Sequence, residues 1–114
     1  NLGTLSTMAR YNPGNLIHVI FDNESLLSVG GFPSATSTGT ELSAVAQGSG
    51  VENTGLYTDI EDFQTAYREA AGRDELSVLV AKVEAVGPTS FAMDIGLLEN
   101  RFDFARHIKE LRSE

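Results

Sequence analysis

Two runs of the chain, LIHVIF from Leu16 to Phe21 and LSVLVAKV from Leu76 to Val83, are almost continuously apolar and rich in β-branched residues. A strand with one face in water alternates apolar and polar residues, whereas runs like these suit a parallel sheet covered on both faces. Parallel strands need long crossovers, and the stretches around the two runs read as helices. Leu2, Leu5 and Met8 recur at helical spacing up to the stop signal Tyr11-Asn12-Pro13-Gly14-Asn15. Thr40 reads as an N-cap with Glu41 in the first turn, followed by the stripe Leu42, Val45 and Ala46 and closed by Gly48 and Gly50. A short strand is expected around Gly55 to Thr58.

Thr58-Asp59-Ile60-Glu61 reads as a capping box opening a helix that Gly72 closes, with Ile60, Phe63, Tyr67, Ala70 and Ala71 on one face. Val86 to Asn100 reads as an irregular connection. Asn100 then caps a last helix in which Phe104, Ile108 and Leu111 share one side. This alternation predicts an α/β fold: three layers, α/β/α, around a parallel sheet with right-handed crossovers. The run from Leu16 is expected at the centre of the sheet. Three strands make a thin sheet, so a further strand is expected just upstream of Asn1 or from a partner. The start Asn1-Leu2-Gly3-Thr4, without Met, fits a piece of something longer. Residues 1–114 are read as a single, partial domain.

Eight Lys and Arg against sixteen Asp and Glu leave a net charge of -8, the wrong sign for tracking nucleic acid phosphates or anionic lipid. The absence of cysteine rules out disulfides, thiol catalysis and cysteine-ligated metals. No apolar run has the length of a membrane span and no signal-peptide layout opens the chain, so the expected setting is the cytoplasm.

The first run ends in Asp22-Asn23-Glu24 and gives way to a Ser-, Gly-, Thr- and Pro-containing loop reaching Gly39. Ligands of open α/β sheets bind beyond the carboxyl ends of strands, and oxygen-rich side chains there suit a hard divalent cation such as Mg²⁺. An Asx turn that merely closes the strand is the competing reading. From Tyr11 to Ser43 and on to Tyr67 there is no Lys or Arg. An anion held by this loop would therefore take its positive potential from a metal ion and backbone N–H groups. Gly30, Gly31 and Gly39 permit close backbone approach. Such a loop has little with which to pack a core, and it is expected to be disordered or displaced without its ligand.

The stretch NLGTLSTMARYNPGNLIHVIFDNESLLSVGGFPSATSTGTELSAVAQGSGV, with a C-terminal helix like FDFARHIKELR, resembles the diphosphate-binding domain of thiamine diphosphate-dependent decarboxylases, especially the sulfopyruvate and phosphonopyruvate group. The resemblance implies a thiamine diphosphate-binding fold, of which this chain holds part. It also implies Mg²⁺ and thiamine diphosphate as cofactors, with the Asn23 amide and the Ser25 main-chain carbonyl as metal ligands. Asn23, Ser25 and Leu26 would be the cofactor-binding residues, Leu26 opening the loop that faces cofactor and substrate. The family's Gly-Asp-Gly aspartate would lie just upstream of Asn1.

By the same resemblance the substrate is a 2-oxo acid, and the activating glutamate belongs to a pyrimidine-binding domain or subunit across an interface. No residue of this chain is then catalytic, and the protein is an oligomer active only with that partner. Leu26-Leu27-Ser28-Val29-Gly30 and Gly31-Phe32-Pro33 depart from the family's pattern and leave the substrate open. The alternative is a noncatalytic α/β interaction or regulatory domain that has lost the cofactor. A receiver-like module fits less well, since Lys82 reads as lying inside a strand, and a flavodoxin-like one would need a phosphate loop after the first strand that this chain does not contain. His18 reads as a strand histidine, His107 as solvent-facing, Glu24 as facing solvent or standing behind the ligands rather than pointing at substrate, Glu61, Asp62, Asp74 and Glu75 as helix-start and turn acids, and Phe63 and Tyr67 as core.

Overall fold

The computed structural model describes residues 2–87 and 96–112. Helix α1 spans Leu2–Tyr11, α2 Leu42–Gly48, α3 Ile60–Ala71 and α4 Leu97–Leu111. Strands β1 Ile17–Asp22, β4 Asn53–Tyr57 and β5 Ser77–Lys82 form a parallel sheet in the order β1-β5-β4. The two-residue strands β2 Ser25–Leu26 and β3 Phe32–Pro33 pair antiparallel. The α/β architecture is the one expected, a three-strand parallel sheet flanked by helices.

Burial follows from the two-residue period of the sheet. Val78 on β5 and Ile20 on β1 face α1 and α2, where Leu5, Ala46, Val51, Leu76 and Val78 make the main core with Met8, Ala9, Leu16 and Val45 packed around them. Ser77 and Leu79 face the other way, towards Ala66 and Ala70 of α3. On that face the Phe63 ring stands edge-on to Tyr57, centroids 6.0 Å apart, and 6.4 Å from Phe21. Helices thus cover both sides of the sheet.

Among the described strands the middle place belongs to β5, which is a correction to the expectation for the run from Leu16. Ser77 to Ala81 are all buried, whereas Ile17 to Ile20 are half-buried and Phe21 is 67 % exposed. Composition does not separate the two runs; only the pairing does.

The boundaries shift for local reasons. Helix α1 ends where Asn12 turns left-handed, φ 41°, with its N–H on the Met8 carbonyl, ahead of a proline that cannot continue a helix. Glu41 rather than Thr40 caps α2, its carboxylate accepting the Ala44 N–H at 3.2 Å. Asp59 caps α3, accepting from Glu61 N at 2.8 Å and Asp62 N at 3.3 Å, so the cap lies one residue later than read. Strand β4 begins at Asn53, whose side chain donates to Glu75 at 2.9 Å and starts the pairing with β5. Helix α4 starts at Leu97, not after Asn100, because the Asn100 N–H already donates to Gly96 O at 2.7 Å. Most of the connection expected between Val86 and Asn100 lies outside the described residues. No described helix is long and apolar enough to cross a membrane.

Ser77 is 1 % exposed, and among the described residues its hydroxyl is the buried side-chain atom without a hydrogen-bond partner. A buried orphan hydroxyl costs about 1–3 kcal/mol of desolvation. Ser77→Ala is therefore expected to stabilise the chain by about 1 kcal/mol, read as a higher urea midpoint at unchanged slope. A lower midpoint would show that the hydroxyl is satisfied after all.

Candidate functional site

Strand β1 stops at Asp22 because the next residues close two successive Asx turns. The Glu24 N–H donates to Asp22 Oδ1 at 3.0 Å, and the Ser25 N–H donates to Asn23 Oδ1 at 3.1 Å. Between them Glu24 is left-handed, φ 55°, a conformation that is strained for a non-glycine residue by roughly 1–2 kcal/mol. Asp22 is only 7 % exposed. Its Oδ1 also accepts the Thr36 hydroxyl at 2.6 Å, and its Oδ2 accepts the Lys82 ammonium at 2.8 Å. Lys82 bonds the Glu24 carboxylate as well.

Lys82 is the residue that sequence reasoning missed. It is the last residue of β5 rather than an interior one, and the parallel register sets it directly opposite Asp22, so the two side chains leave the sheet on one face. The absence of nearby cations in the sequence is thus overturned in space, since the ion pair spans sixty positions of chain. A signal was present: two strands of the same length, one ending in Asp and the other in Lys, pair acid to base when in register. Burial pushes the Asp22 carboxyl up, but the Lys82 ammonium, the Thr36 hydroxyl and the Glu24 N–H together outweigh it and hold the group below its ordinary value. Hydrogen bonds to Asp22 and then Glu24 raise Lys82 above its own, against the opposing effect of burial.

The loop that follows carries backbone and hydroxyl bonds of its own. Ser34 N–H donates to Glu24 O at 3.0 Å and Gly31 N–H to Leu26 O at 3.0 Å, which closes the β2–β3 hairpin. Gly30 and Gly31, φ 105° and 79°, make its turn in a region that side chains disfavour. The hydroxyls of Ser34 and Thr36 lie 2.7 Å apart, tying the loop's second half back to Asp22.

The two residues expected to ligate a metal, Asn23 and Ser25, both lie at the entry to this hairpin. In an extended strand the N–H and C=O of one residue point to one edge and those of its neighbours to the other. Glu24 O and Leu26 O both bond towards β3, so the Ser25 N–H and carbonyl point away from it. Asn23 Oδ1, held on the Ser25 N–H, therefore lies on the same edge as the Ser25 carbonyl. These are hard, neutral oxygens of a kind that Mg²⁺ accepts alongside waters and phosphate oxygens. They fit such an ion as part of a ligand set, with no carboxylate added: Asp22 and Glu24 are engaged by Lys82. The described residues contain no group of three or more His, Cys, Asp or Glu able to hold a metal. Leu26 is 51 % exposed on the hairpin.

Beside this turn a cavity of about 370 Å³ is lined by Glu24, Thr58, Lys82, Val83 and Glu84, beyond the carboxyl ends of β1, β4 and β5. His18 lies elsewhere, half-buried on β1 and facing Leu5, Met8 and Leu42, and His107 is exposed on α4. Neither reaches the turn.

No protein-family model matches the chain, and no solved structure matches it. Curated relatives do. Over 109 residues the chain is 30 % identical to sulfopyruvate decarboxylase subunit beta of Methanocaldococcus jannaschii, a match that covers 96 % of this chain and 57 % of that protein. Over 73 residues it is 37 % identical to phosphonopyruvate decarboxylase of Streptomyces hygroscopicus and 34 % identical to that of Streptomyces viridochromogenes, each match covering 64 % of this chain and 18 % of the relative. The chain thus spans little more than half the length of the first of these relatives and less than a fifth of the others. What these comparisons support is a relationship to sulfopyruvate and phosphonopyruvate decarboxylases that, for the first of them, runs through nearly all of the chain.

Proposed function

We propose that the chain is the diphosphate- and Mg²⁺-binding part of a thiamine diphosphate-dependent decarboxylase of 2-oxo acids, of the sulfopyruvate or phosphonopyruvate type. The observation that carries this reading is the turn at the carboxyl end of β1 in which Asn23 Oδ1 accepts the Ser25 N–H at 3.1 Å, in a chain similar to decarboxylases of both kinds. Asn23 and Ser25 would hold the metal, and through it the diphosphate. Leu26 would offer an apolar surface to the cofactor at the mouth of the hairpin. When bound, thiamine diphosphate supplies the electron sink for loss of CO₂. This chain's part is to bind and orient; it supplies no acid or base. A pyrimidine-binding domain or subunit completes the site in a cytoplasmic oligomer.

A noncatalytic interaction domain is the second reading, favoured by one observation: both carboxylates of the turn are occupied by Lys82. Calorimetric titration of thiamine diphosphate into the complete polypeptide with its partner decides between them. Binding with Mg²⁺ that is lost with EDTA, and weakened at least tenfold by Asn23→Ala, is expected. No binding to the unaltered protein under any of these conditions would leave the noncatalytic reading standing.

A further inference from the structure

Lys82 has no partner role in the metal reading, yet it touches both residues that flank Asn23. On one side it bonds Asp22, the hub that also holds the Glu24 N–H and the Thr36 hydroxyl. On the other it bonds Glu24, whose left-handed backbone sets the direction in which the chain leaves β1 for β2. The ammonium sits at the end of the most buried strand of the sheet, which gives it a rigid base. Its side chain is 24 % exposed and reaches the cavity at the strand ends. A buried carboxylate and an exposed one, two residues apart in the turn, would repel each other and open it if nothing cationic lay between them.

We propose that Lys82 is a positioning residue for the Asn23–Ser25 turn: it clamps Asp22 and Glu24 together, keeps Glu24 left-handed, and thereby keeps the Asn23 amide oxygen and the Ser25 carbonyl on one edge of β2. It acts through these two carboxylates and touches neither the metal nor the diphosphate. The assignment rests on the proposed function only for what the turn holds; the clamp itself is a property of the chain without ligand. It also gives the two carboxylates at a strand end a purpose other than metal ligation, since an ammonium tethered sixty residues away fixes them in place of a free ion.

Hydrogen–deuterium exchange of the complete protein, without cofactor or metal, tests the clamp. Lys82→Met is expected to speed exchange across residues 24–38 at least tenfold more than in α3 and β5, and Lys82→Arg, which keeps the cation, to restore most of the protection. A uniform rise throughout the chain, or none in residues 24–38, would show an ordinary ion pair and overturn the proposal. The same variants are then titrated with thiamine diphosphate and Mg²⁺: the Met variant should bind at least tenfold more weakly than the Arg variant. Where the unaltered protein binds cofactor, equal affinities of the two variants would also overturn it. Should the unaltered protein bind no cofactor while the exchange pattern appears as expected, the functional reading fails and the clamp stands.

Discussion

Asp22→Ala is expected to destabilise the chain by about 3 kcal/mol near neutral pH, because removing one partner of a buried, hydrogen-bonded ion pair strands the groups that were built around it. Those groups are the Lys82 ammonium, the Thr36 hydroxyl and the Glu24 N–H. Relief of the burial that opposes the Asp22 charge offsets part of the loss, which is why the figure lies at the low end for such pairs. The pH dependence has a definite sign. The Asp22 carboxyl titrates below its ordinary 3.8 in the folded chain, so its contribution is complete above that value and disappears as the pH falls through the lower, folded one.

Lys82 titrates above its ordinary 10.5, so its share is complete below that value and is lost only as the pH rises through the raised one. Urea unfolding of both proteins at pH 7, 5 and 3 should show a difference that is constant between the first two and shrinks at the third. A gap of equal size at pH 3 would mean that packing, and not the carboxylate charge, is what Asp22 contributes.

Leu76→Ala is expected to cost about 3–4 kcal/mol, since a buried leucine truncated in a core that cannot collapse loses both its transfer energy and its contacts. Leu76 is 3 % exposed and lies in the cluster with Leu5, Ala46, Val51 and Val78, between the sheet and the first two helices. That cluster is on the opposite end of β5 from Lys82, so the two losses should be independent. Urea unfolding at pH 7 measures the first claim. The second is checked with the Asp22 and Leu76 variants combined: energies that add within about 0.5 kcal/mol are expected, whereas a large coupling would mean that β5 transmits strain from the core to the turn. A loss below about 1 kcal/mol would show that the core at Leu76 repacks.

The reading of single elements from sequence went as far as local chemistry reaches. Apolar runs marked β1 and β5, the Tyr11-Asn12-Pro13 stop ended α1 at Tyr11, and Gly72 closed α3. Where two acceptors stand side by side, as at Thr40 and Glu41 or Thr58 and Asp59, it is the second whose carboxylate turns back onto the first free N–H groups of the helix. Asn100 misled for a related reason: an amide that could cap a helix is already inside one when the chain coils three residues earlier.

The sequence by itself determined the alternation of strands and helices, and with it the α/β class, because hydrophobic periodicity and turn chemistry act between near neighbours. It also determined that Asp22-Asn23-Glu24 would close a strand at the end where α/β sheets bind ligands. Only the tertiary structure decided that β5, not β1, is the middle strand, and that the missing cation of the turn is Lys82. Both are matters of strand pairing, its order in the first case and its register in the second, which joins residues sixty positions apart through hydrogen bonds between backbones that are alike at every position. A one-residue slip would carry Lys82 to the other face of the sheet and leave Asp22 buried without it.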